Sequence, residues 1–426
     1  MQDFKHLEIY LRKLYGSDEK IIVYQKERYN ELLNNFEKIF GKSRLSGIRF
    51  FSSPGRTEIS GNHTDHNHGK VIAASIDLDS IAVASINTRN EVVLYSKGYD
   101  KPFIVNLDDL DPVEKEEGTT AALIRGVANG FLKHHYIAGG FDACISSDVM
   151  IGSGLSSSAS VEVLIGTIFN NLYNDDGATS EEIAIIGQYA ENNFFGKPCG
   201  LMDQVACATG GIVTIDFYNP KKPVIEKIDF DFSATGYNLL VVDTGGTHAD
   251  LTEDYSSIPN EMKQVAKYFD KDFCRDLDLD SLLKNMKDIR EKMSDRSILR
   301  AIHFINENER VEQQTKALKE NNFEKFLNLV NESGNSSFKY LQNIYSTKNV
   351  ENQGITLALA LSDIFIRQNG KGASRVHGGG FAGTIQVFLP NDLVDEYKNF
   401  IYNAFDKNAV KVLSIRNQGA LCFNLT

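Results

Sequence analysis

Ser153-Gly154-Leu155-Ser156-Ser157-Ser158-Ala159-Ser160 is the stretch on which the reading of the fold turns. It holds small residues, hydroxyls and one leucine, and it joins segments of different periodicity. Before it, Phe141, Ala143 and Ile145 alternate with smaller or polar residues, as on a half-buried strand; after it, Val161, Leu164, Ile165, Ile168 and Leu172 recur at helical spacing. The serines therefore open a helix. Amides of a helix's first turn lack intrahelical partners and stand at the positive end of its dipole, so an anion, phosphate first of all, suits this place, with Gly152 and Gly154 allowing close approach. Simple helix capping by Ser156 to Ser158 stays open for the tripeptide alone. No Gly-Lys-Ser or Gly-Lys-Thr closes the segment, and the third glycine of a dinucleotide-binding turn is absent. A nucleophile elbow also fails, because it needs a glycine two residues after its serine.

A chain of 426 residues is long for one core, so two domains are expected. Hydrophobic content of 42% and charged content of 24% are those of a soluble globular protein. The net charge of -12, without any long Lys/Arg run, speaks against nucleic acid or a membrane surface as partner. No apolar run has transmembrane length, and Met1-Gln2-Asp3-Phe4-Lys5-His6 lacks the apolar core of a secretion signal, so a cytoplasmic protein is expected. Cys144, Cys199, Cys207, Cys274 and Cys422 are scattered without Cys-x-x-Cys spacing, which argues against a disulfide framework or a thiolate zinc site.

Toward the N-terminus, residues 1 to about 43 read as a helical lead-in, with Leu7, Tyr10, Leu11 and Leu14 on one face. A strand begins at Ile48-Arg49-Phe50-Phe51. The run from Ser53 to Gly69 then reads as a polar loop seated on a sheet, whose strands follow at 71–76, 81–86 and 92–95. Two chemistries compete for that loop. His63, His66 and His68, with Asp65 among them, are zinc-ligand types, although no His-Glu-x-x-His is present. Alternatively, short side chains of mixed donor and acceptor character suit a sugar, with Arg56 adding a fixed positive charge for phosphate. Residues 97–117 are acidic and read as a solvated loop, and 121–133 read as a helix on the sheet.

Toward the C-terminus, Ser180-Glu181-Glu182 starts a helix whose inward face is Ile183, Ile186 and Ala190, with Glu191 beside it. Asp203 follows in Cys199-Gly200-Leu201-Met202-Asp203-Gln204, at the start of a short helix. Each acid alone has an innocuous explanation, as an exposed helix residue or a helix-start aspartate. Phosphoryl transfer, however, needs donors around the phosphates, oxygen ligands for magnesium, a positive charge and a carboxylate facing the attacking hydroxyl. All four parts are present. Strands at 212–217 and 237–242 lead into a mainly helical region, and Gly378-Gly379-Gly380 precedes an alternating strand at 384–389, implying close backbone approach or positive φ.

Taken together, these segments resemble the GHMP small-molecule kinases, and among them the galactokinases. The resemblance rests on Pro54-Gly55-Arg56 through Gly61-x-His63-Thr64-Asp65, on Gly152 through Ser160, on Cys199 through Gln204, and on His377 through Gly383, in that order. It implies a two-domain α+β fold: a mixed-sheet nucleotide- and sugar-binding domain over 1–235, then a ferredoxin-like helical and sheet domain over 236–426, with the active site in the cleft. It implies ATP-dependent phosphorylation of the anomeric hydroxyl of galactose; the oligomeric state is not read from the sequence, with a monomer favoured. By the same resemblance Asp203 is the base and Arg56 its partner, and Asn62, His63, Thr64, Asp65 and Tyr255 bind the sugar. Gly152, Ser153, Gly154, Leu155, Ser156, Ser157 and Ser158 cradle ATP, and Ser158 and Glu191 hold Mg2+.

The family's pattern has a glutamate where this chain has Asn62 and a tyrosine where it has His66. That glutamate binds the C6 hydroxyl in the family, and asparagine would not repel an anionic C6 group. A C6-altered sugar such as galacturonate is therefore an alternative substrate. A non-catalytic sugar or ATP sensor on the same fold, and a zinc hydrolase built on His63, His66 and His68, are the readings from other classes.

Overall fold

The computed structural model describes residues 5–42, 47–149, 154–246 and 251–423. The chain opens with helices α1 (Lys5–Tyr15) and α2 (Glu19–Phe40), the second capped by Asp18, whose side chain accepts from the amides of Lys20 and Ile21. Strands β1 (Arg49–Ser60), β2 (Lys70–Ile86), β3 (Glu91–Ser96) and β4 (Phe103–Asn106) follow, then helix α3 (Thr120–Lys133) and strand β5 (Phe141–Ser147). Helices α4 (Ser157–Tyr173), α5 (Ser180–Ala190) and α6 (Met202–Thr209) precede β6 (Ile212–Asp216) and β7 (Val224–Ile228).

These strands form one sheet in the order β12-β1-β2-β5-β3-β4, with β6 on the other half of β2 and β7 beyond it; β12 is Leu421–Phe423. Only β3 and β5 pair in parallel within it. Strand alternation explains why both faces are covered. Phe50, Ile81 and Val83 turn toward α1 and α2, while Phe51, Ala82 and Ala84 turn toward α3 to α6.

The second sheet is β11-β8-β10-β9, wholly antiparallel, built from β8 (Tyr237–Asp243), β9 (Ala373–His377), β10 (Thr384–Pro390) and β11 (Val410–Leu413). Its helices are α7 (Thr252–Tyr268), α8 (Leu279–Lys284), α9 (Met286–Lys292), α10 (Asp295–Lys319), α11 (Phe323–Ser336), α12 (Gly354–Asn369) and α13 (Val394–Ile401). Val242, Ile385 and Val387 pack on α12 and α13. Leu239, Val241 and Phe388 face the other way, into a core shared with Ile59, Ile72 and Ile76 of the first sheet and with α10 and α11. The two sheets thus meet through a common apolar layer, and no helix among the described residues is long and apolar enough to cross a membrane.

Several expectations are corrected. The polar run is a strand as far as Ser60, because register shifts at Pro54/Arg56 and Glu58/Ser60 absorb its proline and glycine; bulges tolerate both. The strands expected at 71–76 and 81–86 are one strand, since Asp79, which lies between them, is fully buried and ion-paired with Arg28 and Arg416. Strand β4 lies inside the segment read as a solvated loop, and β12 returns to the first sheet, so residues 236–426 are not confined to the second. The helix expected from Ser180 is capped one residue earlier, where Thr179 and Glu182 form a reciprocal capping box.

Candidate active site

Helix α4 begins without a side-chain cap. Its N-cap residue, Ser156, sits in the left-handed region at φ 57° and its hydroxyl donates instead to Asp203 Oδ2. Simple capping is thereby ruled out, and the first-turn amides of a 17-residue helix keep the open end on which an anion can lie. Leu155 anchors the turn: its side chain is buried in the shared core and its carbonyl accepts from the amide of Arg56 at 3.2 Å. Gly152 and Ser153 lie outside the described residues.

Across the turn, the bulge in β1 aims Arg56 at the start of α6. Its Nε and Nη2 donate to Asp203 Oδ1 and Oδ2, each at 2.6 Å, and its Nη1 donates to the carbonyl of Gly154. This is a bidentate pair of the strongest common kind. Burial raises the pKa of Asp203, but the charge and hydrogen bonds of Arg56, the Ser156 hydroxyl and Lys197 outweigh it, so the carboxyl sits below its ordinary value. Asp203 is therefore ionised, and its side chain remains 24% exposed to the cleft.

The other acid is Glu191, at the start of a widened π-turn that ends α5. Its Oε1 accepts from Ser158 Oγ at 2.8 Å and from Lys197 Nζ at 3.2 Å. Two hard oxygen donors so close are what a magnesium ion requires. Two residues without an expected role complete this corner. Gln204 Nε2 donates to Glu191 Oε2 and to Glu162 Oε2, both at 2.9 Å, so it orients Glu191 from behind. Glu162 Oε1 and Gln204 Oε1 are both buried without a hydrogen-bond partner, and burial next to Glu191 raises the pKa of Glu162 well above the usual carboxylate range. Their place at helical spacing after Ser158 and directly after Asp203 was the one signal available in the sequence.

The sugar-motif residues divide. Asp65 lies against the base segment: a Cβ on Gly200 would stand 2.7 Å from Asp65 Oδ2. His63, at φ 58°, donates from Nε2 to the carbonyl of Gly379 at 2.8 Å, and burial lowers its pKa to about 4, so the ring is neutral. The Tyr255 hydroxyl donates to the carbonyl of Gly380 at 3.0 Å. The triple glycine thus presents its carbonyls to this motif, and a Cβ on Gly380 would meet the carbonyl oxygen of Asn343 at 2.1 Å.

Asn62 and Thr64 are placed otherwise than expected. Asn62 is fully buried; its Nδ2 donates to Glu58 Oε1 and the carbonyl of Gly378, and its Oδ1 accepts from Asn343 and Ser337. All its hydrogen-bonding capacity is used within the protein. The Thr64 hydroxyl is also buried and donates to the carbonyls of Gly61 and Lys70. Both residues build the turn instead of facing the cleft. The zinc reading fails as well. His63 and His66 have ring centroids 6.2 Å apart, His68 stacks on Phe273 at 3.7 Å, and the described residues contain no metal-binding group of three such side chains.

Comparison with known proteins agrees with this arrangement. The profile described as GHMP kinases N terminal domain matches residues 122–211, and that described as galactokinase galactose-binding signature matches residues 34–86. A galactokinase of Clostridium acetobutylicum is 30% identical over 382 residues, covering 86% of this chain and 91% of that protein. One of Clostridium tetani is 29% identical, covering 89% and 92%. Among solved structures, Lactococcus lactis galactokinase complexed with galactose superposes with a TM-score of 0.75 at 23% identity, covering 91% of this chain and 97% of that one. A mevalonate kinase does so with a TM-score of 0.60 at 18% identity, covering 87% and 99%.

Proposed function

Because the chain belongs to the galactokinase family, we propose that it transfers the terminal phosphoryl group of ATP to the anomeric hydroxyl of galactose, releasing galactose 1-phosphate and ADP. The observation that carries the proposal is the ionised Asp203, clamped by Arg56 and Ser156 at the uncapped start of α4, with Asp65 against Gly200 of the same segment. The ATP phosphates lie on residues 152–158, with the Ser156–Ser158 turn as the floor. Galactose lies between Asp65, Tyr255 and Asp203.

In this arrangement Asp203 orients the anomeric hydroxyl and accepts its proton at a carboxylate oxygen. A carboxylate held below its usual pKa is a weak base, but phosphoryl transfer passes through a loose transition state in which the nucleophile is little deprotonated until late. Positioning is then its main contribution, and Arg56 adds positive charge beside the moving group. Ser158 and Glu191 fit Mg2+, which when bound with ATP offsets charge on the β- and γ-phosphoryl oxygens. Gln204 and Lys197 keep the Glu191 carboxylate turned toward Ser158.

The case for a C6-altered sugar rested on Asn62 facing the substrate. With that carboxamide buried and fully hydrogen-bonded, its basis is gone. The contact between Arg56 and Asp203 counts equally against a silent sensor. Magnesium-dependent ADP release, measured over galactose, galacturonate and arabinose, tests the assignment. Galactose is expected to be turned over fastest; brisk use of galacturonate with galactose rejected would overturn it.

A further inference from the structure

A cavity of about 720 Å³ opens beside α7 and α10; Arg56, Asp65, Asp203 and Ser158 are not in its wall, but Phe381 is, and its ring stands edge-on to Tyr255 at 5.5 Å, so the cavity adjoins the sugar end of the cleft. Its wall contains a buried cation. Arg300 is 1% exposed; its Nε donates to the carbonyl of Leu341 at 3.1 Å, and its Nη1 donates to Ser257 Oγ at 2.8 Å and Glu261 Oε2 at 2.9 Å. Its Nη2 has no hydrogen-bond partner among the described residues. Glu261 is shared, because Arg296 Nε also donates to it, at 3.0 Å. Lys339 brings a third positive charge to the same wall. The carboxylates there are Glu261 and Asp254, so this corner is positive in a chain whose net charge is -12. Burial, and after the opposing effect of Glu261 the neighbouring Arg296, hold Arg300 below its ordinary pKa. A bound anion would relieve that strain on its charge.

The rest of the wall suits a polyol. Asp254, whose Oδ2 already accepts from Ser346 Oγ at 2.7 Å, and Gln342 offer hydroxyl partners, while Phe338 and Tyr345 offer faces for the C–H side of a ring. The volume lies in the range of about 300–1,000 Å³ usual for small-molecule sites. We propose that this cavity is a second binding site, adjoining the sugar end of the catalytic cleft but lined by other side chains, that takes an anionic sugar of the aldose phosphate class. The phosphate sits on Arg300 Nη2 with Arg296 and Lys339, and the sugar hydroxyls sit on Asp254 and Gln342.

The sequence contains no tryptophan, and Phe338 is 50% exposed at the cavity, so Phe338→Trp gives a single fluorophore there, and galactose, which fills only the catalytic site, serves as its control. The full-length variant is titrated with galactose 1-phosphate, inorganic phosphate and galactose, with no need for turnover. Galactose 1-phosphate is expected to give a saturable change at or below about 10 mM. Adding Arg296→Met and Lys339→Met should weaken it about tenfold or more, while galactose gives no change and inorganic phosphate binds about tenfold more weakly. Galactose turnover by the Arg296→Met/Lys339→Met protein should match that of the parent, which also reports that it folds. Absence of saturation, a response that survives those two substitutions, an equal response to galactose, or equal binding of inorganic phosphate would each overturn the proposal.

Discussion

At Asp203 the charge, the hydrogen bonds and the position in the cleft are separable. Replacing it with alanine also strands Arg56, whose side chain is only 10% exposed, so the variant loses stability as well as its base. Asp203→Asn keeps the shape. Asp203→Asn is expected to lower kcat by about 10²–10⁴-fold while the dissociation constant for ATP changes by less than about threefold, because the carboxamide oxygen can still accept from Ser156 of the ATP turn, a bond that alanine removes. Steady-state kinetics together with nucleotide titration check this; loss of ATP binding in the asparagine variant would contradict the separation. Residue type supplied the parts phosphoryl transfer needs, namely a serine turn, Arg56, Glu191 and Asp203, but the roles of Asp203 as base and of Ser158 and Glu191 toward magnesium came from the resemblance. Residue type could not say which way a carboxamide or hydroxyl faces. Asn62 and Thr64 are as polar as their neighbours in the motif, yet their partners come from Gly378, Asn343 and Lys70, contacts that only the tertiary fold creates.

Among the elements, the short connection between α5 and α6 carries unusual demand. It widens into a π-turn to deliver Glu191, then passes Gly200 against Asp65 before α6 delivers Asp203. Gly200→Ala places a methyl group 2.7 Å from Asp65 Oδ2, closer than van der Waals contact allows. Asp65 or the connection has to shift, so the KM for the sugar is expected to rise about tenfold with the KM for ATP little changed, at a stability cost of about 1–3 kcal/mol. Paired kinetics and urea unfolding check both; an unchanged sugar KM would remove Asp65 from the sugar site. Helices α3, α4 and α5 were legible because their apolar spacing is regular, and α5 also starts beside capping residues. The second half of β1 was not, because Pro54 and Gly55 signal a loop unless bulges, set by pairing with β2 at remote positions, make room for them.

For the molecule as a whole, the meeting of the two sheets buries neutral histidines. His377 bridges Thr57 and Thr384, and burial first, then Arg56 and Arg375, lower its pKa to about 3. The unfolded chain holds this proton from about pH 6.5 downward and the folded chain does not, so the residue destabilises the fold progressively as pH falls through that window. Asp77, raised to about 6 by burial, acts in the opposite sense below pH 6, so the difference between proteins is informative where the total slope is not. His377→Gln should cost stability at pH 7, and that deficit should shrink by on the order of 1 kcal/mol per pH unit between pH 6 and 5. Urea midpoints at each pH measure it; a deficit independent of pH would contradict a neutral buried imidazole. Length gave the expectation of two domains, and the resemblance supplied the two-sheet arrangement. The crossing of β12 back to the first sheet was not legible, since three residues carry no periodicity.

That crossing has a consequence for how the polypeptide is made. Strand β1, which bears Arg56, has β12 as its neighbour on one side, and Arg416 from the approach to β12 reaches Asp79 on β2. Until the segment 414–423 has left the ribosome, the amides of Phe50–Ser52 face water on that side, ready to pair with any nascent strand nearby. Completion of the catalytic sheet therefore waits for a segment made long after the strand that bears Arg56.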